Sequence, residues 1–428
     1  MRIIFLNPSG QMGGAEVALL DLLQSLRQAE PDWTIELIVS DRGPFVTKAE
    51  DLGITTSVLP FPPAMARLGD ASAGGPAGNE VGQLELLSRM LQSSPEIARY
   101  AWKLKKTLRQ LAPDVIHTNG FKMHLLGAMA KPRKSALIWH IHDYVRARPF
   151  MTRCMRLLSG RCAIALTNSK SVAADVRAAC GQRLRVRTVY NGVDTTVFSP
   201  RGAGVDLDSL SGLTPVNGAT VRVGMLATLA RWKGHETFLR AFSLLPDWLP
   251  LRGYIVGGAL YQTDGSQHSF AELRALAEDL GIADRIGFTG FVDKPAAAMR
   301  SLDILVHAST QPEPFGLVIA EGMACGRAVI ASDAGGAAEL FDSNVNALSH
   351  PPGDVIALAQ RIEELATQPE LRARLGAAGR ATAEQRFDRS RLASELVPIY
   401  SEIREQRSEV RGQRSDVSRT SDCLTPDL

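Results

Sequence analysis

This chain has no apolar run approaching the roughly 18 residues that a membrane-spanning helix requires. Its opening, Met1-Arg2-Ile3-Ile4-Phe5-Leu6, looks like the start of a secretory signal, but the apolar stretch stops at Asn7-Pro8, too short for a signal core. Cysteine is scarce: the five residues Cys154, Cys162, Cys180, Cys325 and Cys423 are odd in number and never form a C-x-x-C pair. That argues against a disulfide framework or a structural zinc and for a reducing compartment. The net charge of +3 is too small to suggest nucleic acid as a partner. No G-x-S-x-G elbow, phosphate-binding P-loop or G-x-G-x-x-G dinucleotide fingerprint occurs. The expected location is the cytoplasm.

What is present is ordinary globular composition, 45% apolar and 22% charged, spread over 428 residues. That length is too great for one core and predicts two domains of roughly 200 residues each. Ile3 to Leu6 reads as a buried strand, Asn7 to Gly14 as a loop, and Ala15 to Gln28 as a helix with Val17, Leu19, Leu20, Leu22, Leu23 and Leu26 on its apolar face. Gly13-Gly14 is a place where a ligand or a second domain can approach the backbone. Strands at 35–39, 56–59, 115–117, 136–141, 162–166 and 185–189 follow, separated by helical stretches. A second series starts at Val221 and includes 253–258, 286–288, 304–306 and 329–331. Such alternation predicts parallel sheets covered by helices on both faces, an α/β class.

The expected organisation is an N-terminal domain over 1–199, a linker over 200–219 and a second domain over 220–385. A helix over 386–402 returns toward the first domain, and the Ser-rich, mixed-charge segment 403–428 is expected to lack structure. Residues 60–82, with no periodicity and many Pro and Gly, are expected to form a mobile excursion. The helix at 96–111 places Arg99, Lys103, Lys105, Lys106 and Arg109 beside Ile97, Tyr100, Trp102, Leu104 and Leu108. A solvated basic face and contact with an anionic membrane are both open readings of it.

The chemistry concentrates at Gln311-Pro312-Glu313-Pro314-Phe315-Gly316, followed by a helical run from Leu317 to Cys325 that Gly326 ends. Glu313 precedes that helix and Glu321 lies within it, about one and a half turns on. The unpaired N–H groups and dipole of the helix start between them suit a phosphate. Two carboxylates beside an anion site serve something attached to the anion, such as the hydroxyls of a ribose or a sugar. Arg231-Trp232-Lys233-Gly234 supplies two cations able to neutralise a diphosphate without a metal. Gly257-Gly258, and Gly335-Gly336 with Glu339, supply close-approach backbone at the same sheet edge.

Two patterns carry little. Asp206-Leu207-Asp208 is a D-x-D in the linker with no strand before it. His140 and His142 share a strand face, but no further ligand stands at metal spacing. His142, at the strand end, can reach into a cleft, whereas His140 reads as a packed histidine.

Taken together, the chain resembles the retaining glycosyltransferases of the GT-B fold, in particular glycosyltransferase family 4, over about residues 1–400. Glu313 to Glu321 is similar to that family's E-x7-E signature, and Cys325 to Ala331, Gly335-Gly336 and Glu339 continue the likeness. Tyr190-Asn191-Gly192-Val193-Asp194 resembles its Asn-Gly-Val-Asp motif, and Trp232 to Glu236 its Lys-Gly segment. The resemblance implies two Rossmann-like domains facing across a cleft, the C-terminal one holding a nucleotide-activated sugar and the N-terminal one the acceptor. It implies that Glu321 binds ribose hydroxyls and that Glu313 holds the transferred sugar, with the N–H groups of Phe315, Gly316 and Leu317 alongside. Lys233 and an arginine stabilise the leaving diphosphate; Gly14 lies near that diphosphate and His142 near the sugar. Gly257 and Glu339 complete the expected donor site. No metal or other cofactor is implied, and the anomeric configuration is retained by same-face attack.

The family arginine usually stands five residues before the lysine, where this chain has Thr228, so either Arg231 reaches round to take that role or Lys233 carries it with backbone N–H groups alone. The implied partners are a nucleotide-sugar donor and a saccharide, lipid-linked or small-molecule acceptor. Contact with the inner face of a membrane is a further expectation. Two other readings fit the same architecture: a nucleotide-sugar epimerase, which needs no acceptor, and a non-catalytic two-domain protein that closes on a sugar.

Overall fold

Ile3, Ile4, Phe5 and Leu6 are all fully buried, as a strand covered on both faces must be. They belong to β1 (Arg2–Leu6), at the centre of a parallel sheet with β2 (Thr34–Val39), β3 (Thr55–Val58), β4 (Val115–Asn119), β5 (Ala136–Ile141), β6 (Ile164–Thr167) and β7 (Val186–Thr188). The order in this seven-stranded sheet is β3-β2-β1-β4-β5-β6-β7. The computed structural model describes residues 1–63, 65, 83–216, 218–258 and 266–421, without the side chains of 83–94 and 407–421. Most of the excursion expected over 60–82 lies outside the described residues.

The second sheet contains β8 (Val221–Leu226), β9 (Leu251–Val256), β10 (Ile286–Gly290), β11 (Ile304–His307), β12 (Ala328–Ser332) and β13 (Leu348–His350). Its six strands run in the order β10-β9-β8-β11-β12-β13, again all parallel. In both sheets the order reverses beside the first strand, between β1 and β4 and between β8 and β11. Chains leave those neighbours in opposite directions, so a crevice opens at the carboxyl ends of the strands. The two-domain, doubly wound α/β architecture expected from the alternation is the one observed. β13 is the strand that the sequence reading missed; Leu348-Ser349-His350 carries one apolar residue and lacks the apolar run of a strand buried on both faces.

The linker is more ordered than its Pro, Gly and Ser content suggests. Asp206 caps the short helix Leu207–Ser211 by accepting from Ser209 N–H, and Asp208 is buried. Asp208 accepts from Tyr254 Oη at 2.6 Å and Arg252 Nη1 at 3.1 Å, with Arg222 Nη2 at 3.5 Å. The D-x-D is therefore structural: one carboxylate starts a helix and the other ties it to the second sheet.

The chain returns to the first domain at Arg389, which bonds Asp21 at 3.1 Å and Asp194 at 2.6 Å. The final helix, Arg391–Ser421, then buries Leu392, Leu396, Ile399, Tyr400 and Ile403 in the N-terminal core, and Tyr400 Oη meets His117 Nδ1 at 2.7 Å. This helix continues to Ser421, where the composition of 403–428 had pointed to a structureless tail. Its Arg, Glu and Gln residues are good helix formers and extend what the packed first turns begin. Residues 422–428 lie outside the described residues.

Candidate active site

The second domain converges on Glu313. β11 ends at His307, and six residues later the chain brings Glu313 back against it, paired through a single bridge with Gly335 beyond β12. The Glu313 carboxylate is buried and fully engaged. Lys233 Nζ donates to Oε1 at 2.6 Å, while His307 Nε2 and Ser309 Oγ each meet Oε2 at 2.7 Å. Burial disfavours the charged carboxylate, but the charges of Lys233 and His307 outweigh it and hold Glu313 well below the usual carboxylate range. It is thus a fixed anion at the mouth of β11.

Gly316 takes φ +86°, a left-handed conformation that glycine adopts without strain, and the helix Leu317–Ala324 starts from it. That turn leaves the N–H groups at the helix start beside Glu313. The helix buries Ile319, Ala320, Met323 and Ala324, and Phe315 packs its ring near Tyr190 and Phe387. Glu321 keeps part of its surface accessible on the same helix. Its deep position raises its pKa to about 8, and the negative charge of Asp21 across the domains adds to the effect. No hydrogen bond to its carboxyl occurs among the described residues.

Of the two cations expected at the diphosphate, the structure brings only Lys233 to Glu313. Its ammonium also lies 4.1 Å from the centre of the Trp232 ring. Arg231 turns to Glu272 Oε1 at 2.8 Å and to His268 Nδ1 at 3.1 Å. The reason is local: Arg231–Lys233 is a 3-10 turn, and residues two apart on such a turn point to different sides. Thr228 lies half-buried in the loop after β8.

From the first domain, Gly14 opens the helix Gly14–Ala29, and a Cβ there would meet nothing within 4 Å. His142 follows β5, with Nε2 3.2 Å from Asn119 Oδ1, and burial lowers its pKa to about 4, so the ring is neutral. His142 Nδ1, Asn119 Nδ2 and Asn168 Oδ1 are buried without a hydrogen-bond partner among the described residues. His140 is the packed histidine expected, its ring 4.1 Å from that of His142 and 5.1 Å from that of His117. Among the described residues, no group of three or more His, Cys, Asp or Glu is arranged to hold a metal ion.

Two other expected donor residues have different surroundings. Gly257 is required by packing, since a Cβ there would lie 1.9 Å from the Ala227 carbonyl. The Glu339 carboxylate reaches the first domain, at Lys170, Ser171 and Tyr190. His307, Ser309 and Tyr144 were not singled out from the sequence. His307 could have been, because it is a polar residue at the carboxyl end of a strand beside the order reversal. Tyr144 meets the Glu313 carbonyl only through the tertiary fold.

The family description "Glycosyltransferase Family 4" matches residues 12–197, and "Glycosyl transferases group 1" matches residues 215–382. The chain is 28% identical to the lipopolysaccharide core biosynthesis glycosyltransferase LpsD of Rhizobium meliloti, over 70% of this chain and 78% of that protein. It is 30% identical to the D-inositol 3-phosphate glycosyltransferase of Xylanimonas cellulosilytica, but that match spans only about half of each protein, 52%. Among solved structures, HepE of Anabaena in complex with UDP superposes with a TM-score of 0.73 at 26% identity, covering 94% of this chain and all of HepE. HepE has also been solved with UDP-glucose. Both domains are thus matched, in order and in fold. The chain belongs to the glycosyltransferases of the GT-B fold.

Proposed function

We propose that the cleft transfers a sugar from a uridine-diphosphate donor to a hydroxyl of a saccharide or lipid-linked acceptor, with retention and without a divalent metal. The observation that carries this reading is the buried Glu313 carboxylate, fixed by Lys233, His307 and Ser309 next to the helix start at Gly316. A carboxylate so held can exchange one of these contacts for sugar hydroxyls, which puts the anomeric carbon beside the lysine. Lys233 and the N–H groups of Phe315, Gly316 and Leu317 then stabilise charge growing on the departing diphosphate. Glu321, further along the same helix, takes the ribose hydroxyls in this reading. Glu313 is tied up by Lys233, His307 and Ser309 rather than aimed as a nucleophile, and this supports same-face attack.

The UDP complexes of HepE support the choice of base. The unpartnered nitrogens and oxygen around His142, Asn119 and Asn168 support a hydroxyl-rich acceptor on the N-terminal side. Exposed Trp102, flanked on its helix by exposed Arg99, Lys103, Lys106 and Arg109, supports docking on an anionic membrane at the cytoplasmic face. Among the described residues no helix is long and apolar enough to cross one. The test is thermal stability in EDTA with UDP, GDP, ADP and their sugar conjugates. A ligand at about 100 times its Kd adds roughly 2.7 kcal/mol. A shift with the uridine compounds alone supports the reading; no shift with any of them overturns it. Flotation with anionic vesicles tests the membrane contact separately.

A further inference from the structure

Glu339 belongs to the second domain, in the 3-10 turn Ala337–Glu339 after β12, yet its carboxylate serves the first. Oε2 accepts from Lys170 N–H at 2.8 Å and Oε1 from Ser171 N–H at 2.7 Å. These are the first two amides of the helix Lys170–Cys180, whose N-cap, Ser169, accepts from Val172 N–H at 3.1 Å. Three of the four amides left open at that helix start are thereby satisfied, two of them from the other domain. A carboxylate at this position also complements the helix dipole. Tyr190 Oη, in the segment after β7, donates to the same carboxylate at 2.9 Å.

The contact is continuous with the loop that carries Glu313. Ser171 Oγ lies 3.0 Å from Tyr144 Oη, which donates to the Glu313 carbonyl at 3.3 Å. Gly336 N–H donates to that carbonyl at 2.7 Å. The seam is close: a Cβ on Gly336 would lie 1.9 Å from the Pro314 carbonyl of its own domain and 2.7 Å from Ser169 Cβ of the other, and one on Gly335 2.5 Å from Tyr144 Oη. The backbone of Glu313 is thus held by donors from both domains at once.

We propose that Glu339 is a positioning residue which clamps the start of helix Lys170–Cys180 onto the Glu313 loop, so that closure of the two domains sets the Glu313 geometry, and that it is not a contact of the donor nucleotide. The proposal rests on reading the cleft as the sugar-transfer site.

The test compares Glu339→Ala with Lys170→Pro and with the double variant. Proline is well tolerated at the first helical position, and extended Ser169 (φ −155°, ψ 162°) suits a residue before proline, so Lys170→Pro removes one amide donor while keeping the helix. Each single variant is expected to lower kcat on the order of 10- to 100-fold, because hydrogen bonds to a charged group hold the closed form. The Kd for UDP, measured by calorimetry, stays within about twofold, and the double variant is no worse than the worse single one. Hydrogen exchange at the Lys170 and Ser171 amides, whose acceptor is removed, rises in Glu339→Ala, a readout independent of sugar transfer. Loss of UDP affinity in Glu339→Ala with wild-type behaviour in Lys170→Pro would make Glu339 a donor contact and overturn the clamp. Unchanged exchange at Ser171 overturns it even if the wild type binds no UDP, the result that defeats the sugar-transfer reading itself.

Discussion

Replacing Lys233 by methionine deletes the charge 2.6 Å from Glu313 Oε1 and keeps an unbranched stem of similar reach. Breaking a buried ion pair by removing one partner costs about 3–5 kcal/mol. His307 and Ser309 still hold Oε2 at 2.7 Å in the variant, so about 2–3 kcal/mol is the better figure. In a domain of this size that is a fall in Tm of roughly 4–12 °C at pH 8. The pH dependence separates lost charge pairing from lost packing. In the wild type the Glu313 pKa is depressed when folded, so its stabilisation is present above the ordinary value of 4.5 and is lost only as pH falls through the lower folded value. The wild-type contribution is therefore flat between pH 8 and pH 5. In the variant, burial without Lys233 pushes Glu313 up instead. The folded protein then takes up a proton before the unfolded chain does, and part of the deficit is recovered by pH 5. Calorimetric Tm at pH 8, 6.5 and 5, run beside turnover with a UDP-sugar, measures both effects. Turnover is expected to fall about 10²–10³-fold, the cost of one lost transition-state donor. A Tm deficit that ignores pH, or turnover within tenfold of wild type, refutes the reasoning.

Glu321→Gln tests the raised carboxyl. Wild-type stability is lost relative to the variant as pH climbs from 4.5 to about 8, where the unfolded chain has ionised and the folded one has not, so the variant has the higher Tm at pH 8.5 and equal Tm at pH 4. If Glu321 holds a ribose, the same change weakens UDP binding about tenfold, as calorimetry will show. Arg231→Ala removes contacts to Glu272 and His268 and none to Glu313, so kcat is expected within about threefold of wild type; a hundredfold loss would mean the side chain swings into the cleft. Asp208→Asn leaves Arg222 and Arg252 without their anion and is expected to cost about 2–4 kcal/mol in denaturant unfolding, with UDP affinity preserved in the folded fraction.

Much of the fold was legible because parallel sheets announce themselves. β5 and β8 can be read at their observed limits, since strands buried on both faces are continuous apolar runs. Proline-framed Glu313, Gly316 at the turn and Glu321 along the helix are local features, and the local spacing decides them. The chemical identity of the site residues on one short stretch was therefore a property of the sequence alone. Tertiary structure decided who meets whom. Lys233 stands 80 positions before Glu313 and His307 six positions before it, and only the order reversal between β8 and β11 brings all three together. Arg231, two positions from Lys233, is directed elsewhere by the turn that carries both. Glu339 presents the sharpest case: 169 positions from Lys170, it caps a helix of the other domain, and no periodicity in either segment encodes that contact. Backbone amides at a helix start donate to any well-placed carboxylate, so the partner is chosen by how the domains close and not by residue pattern.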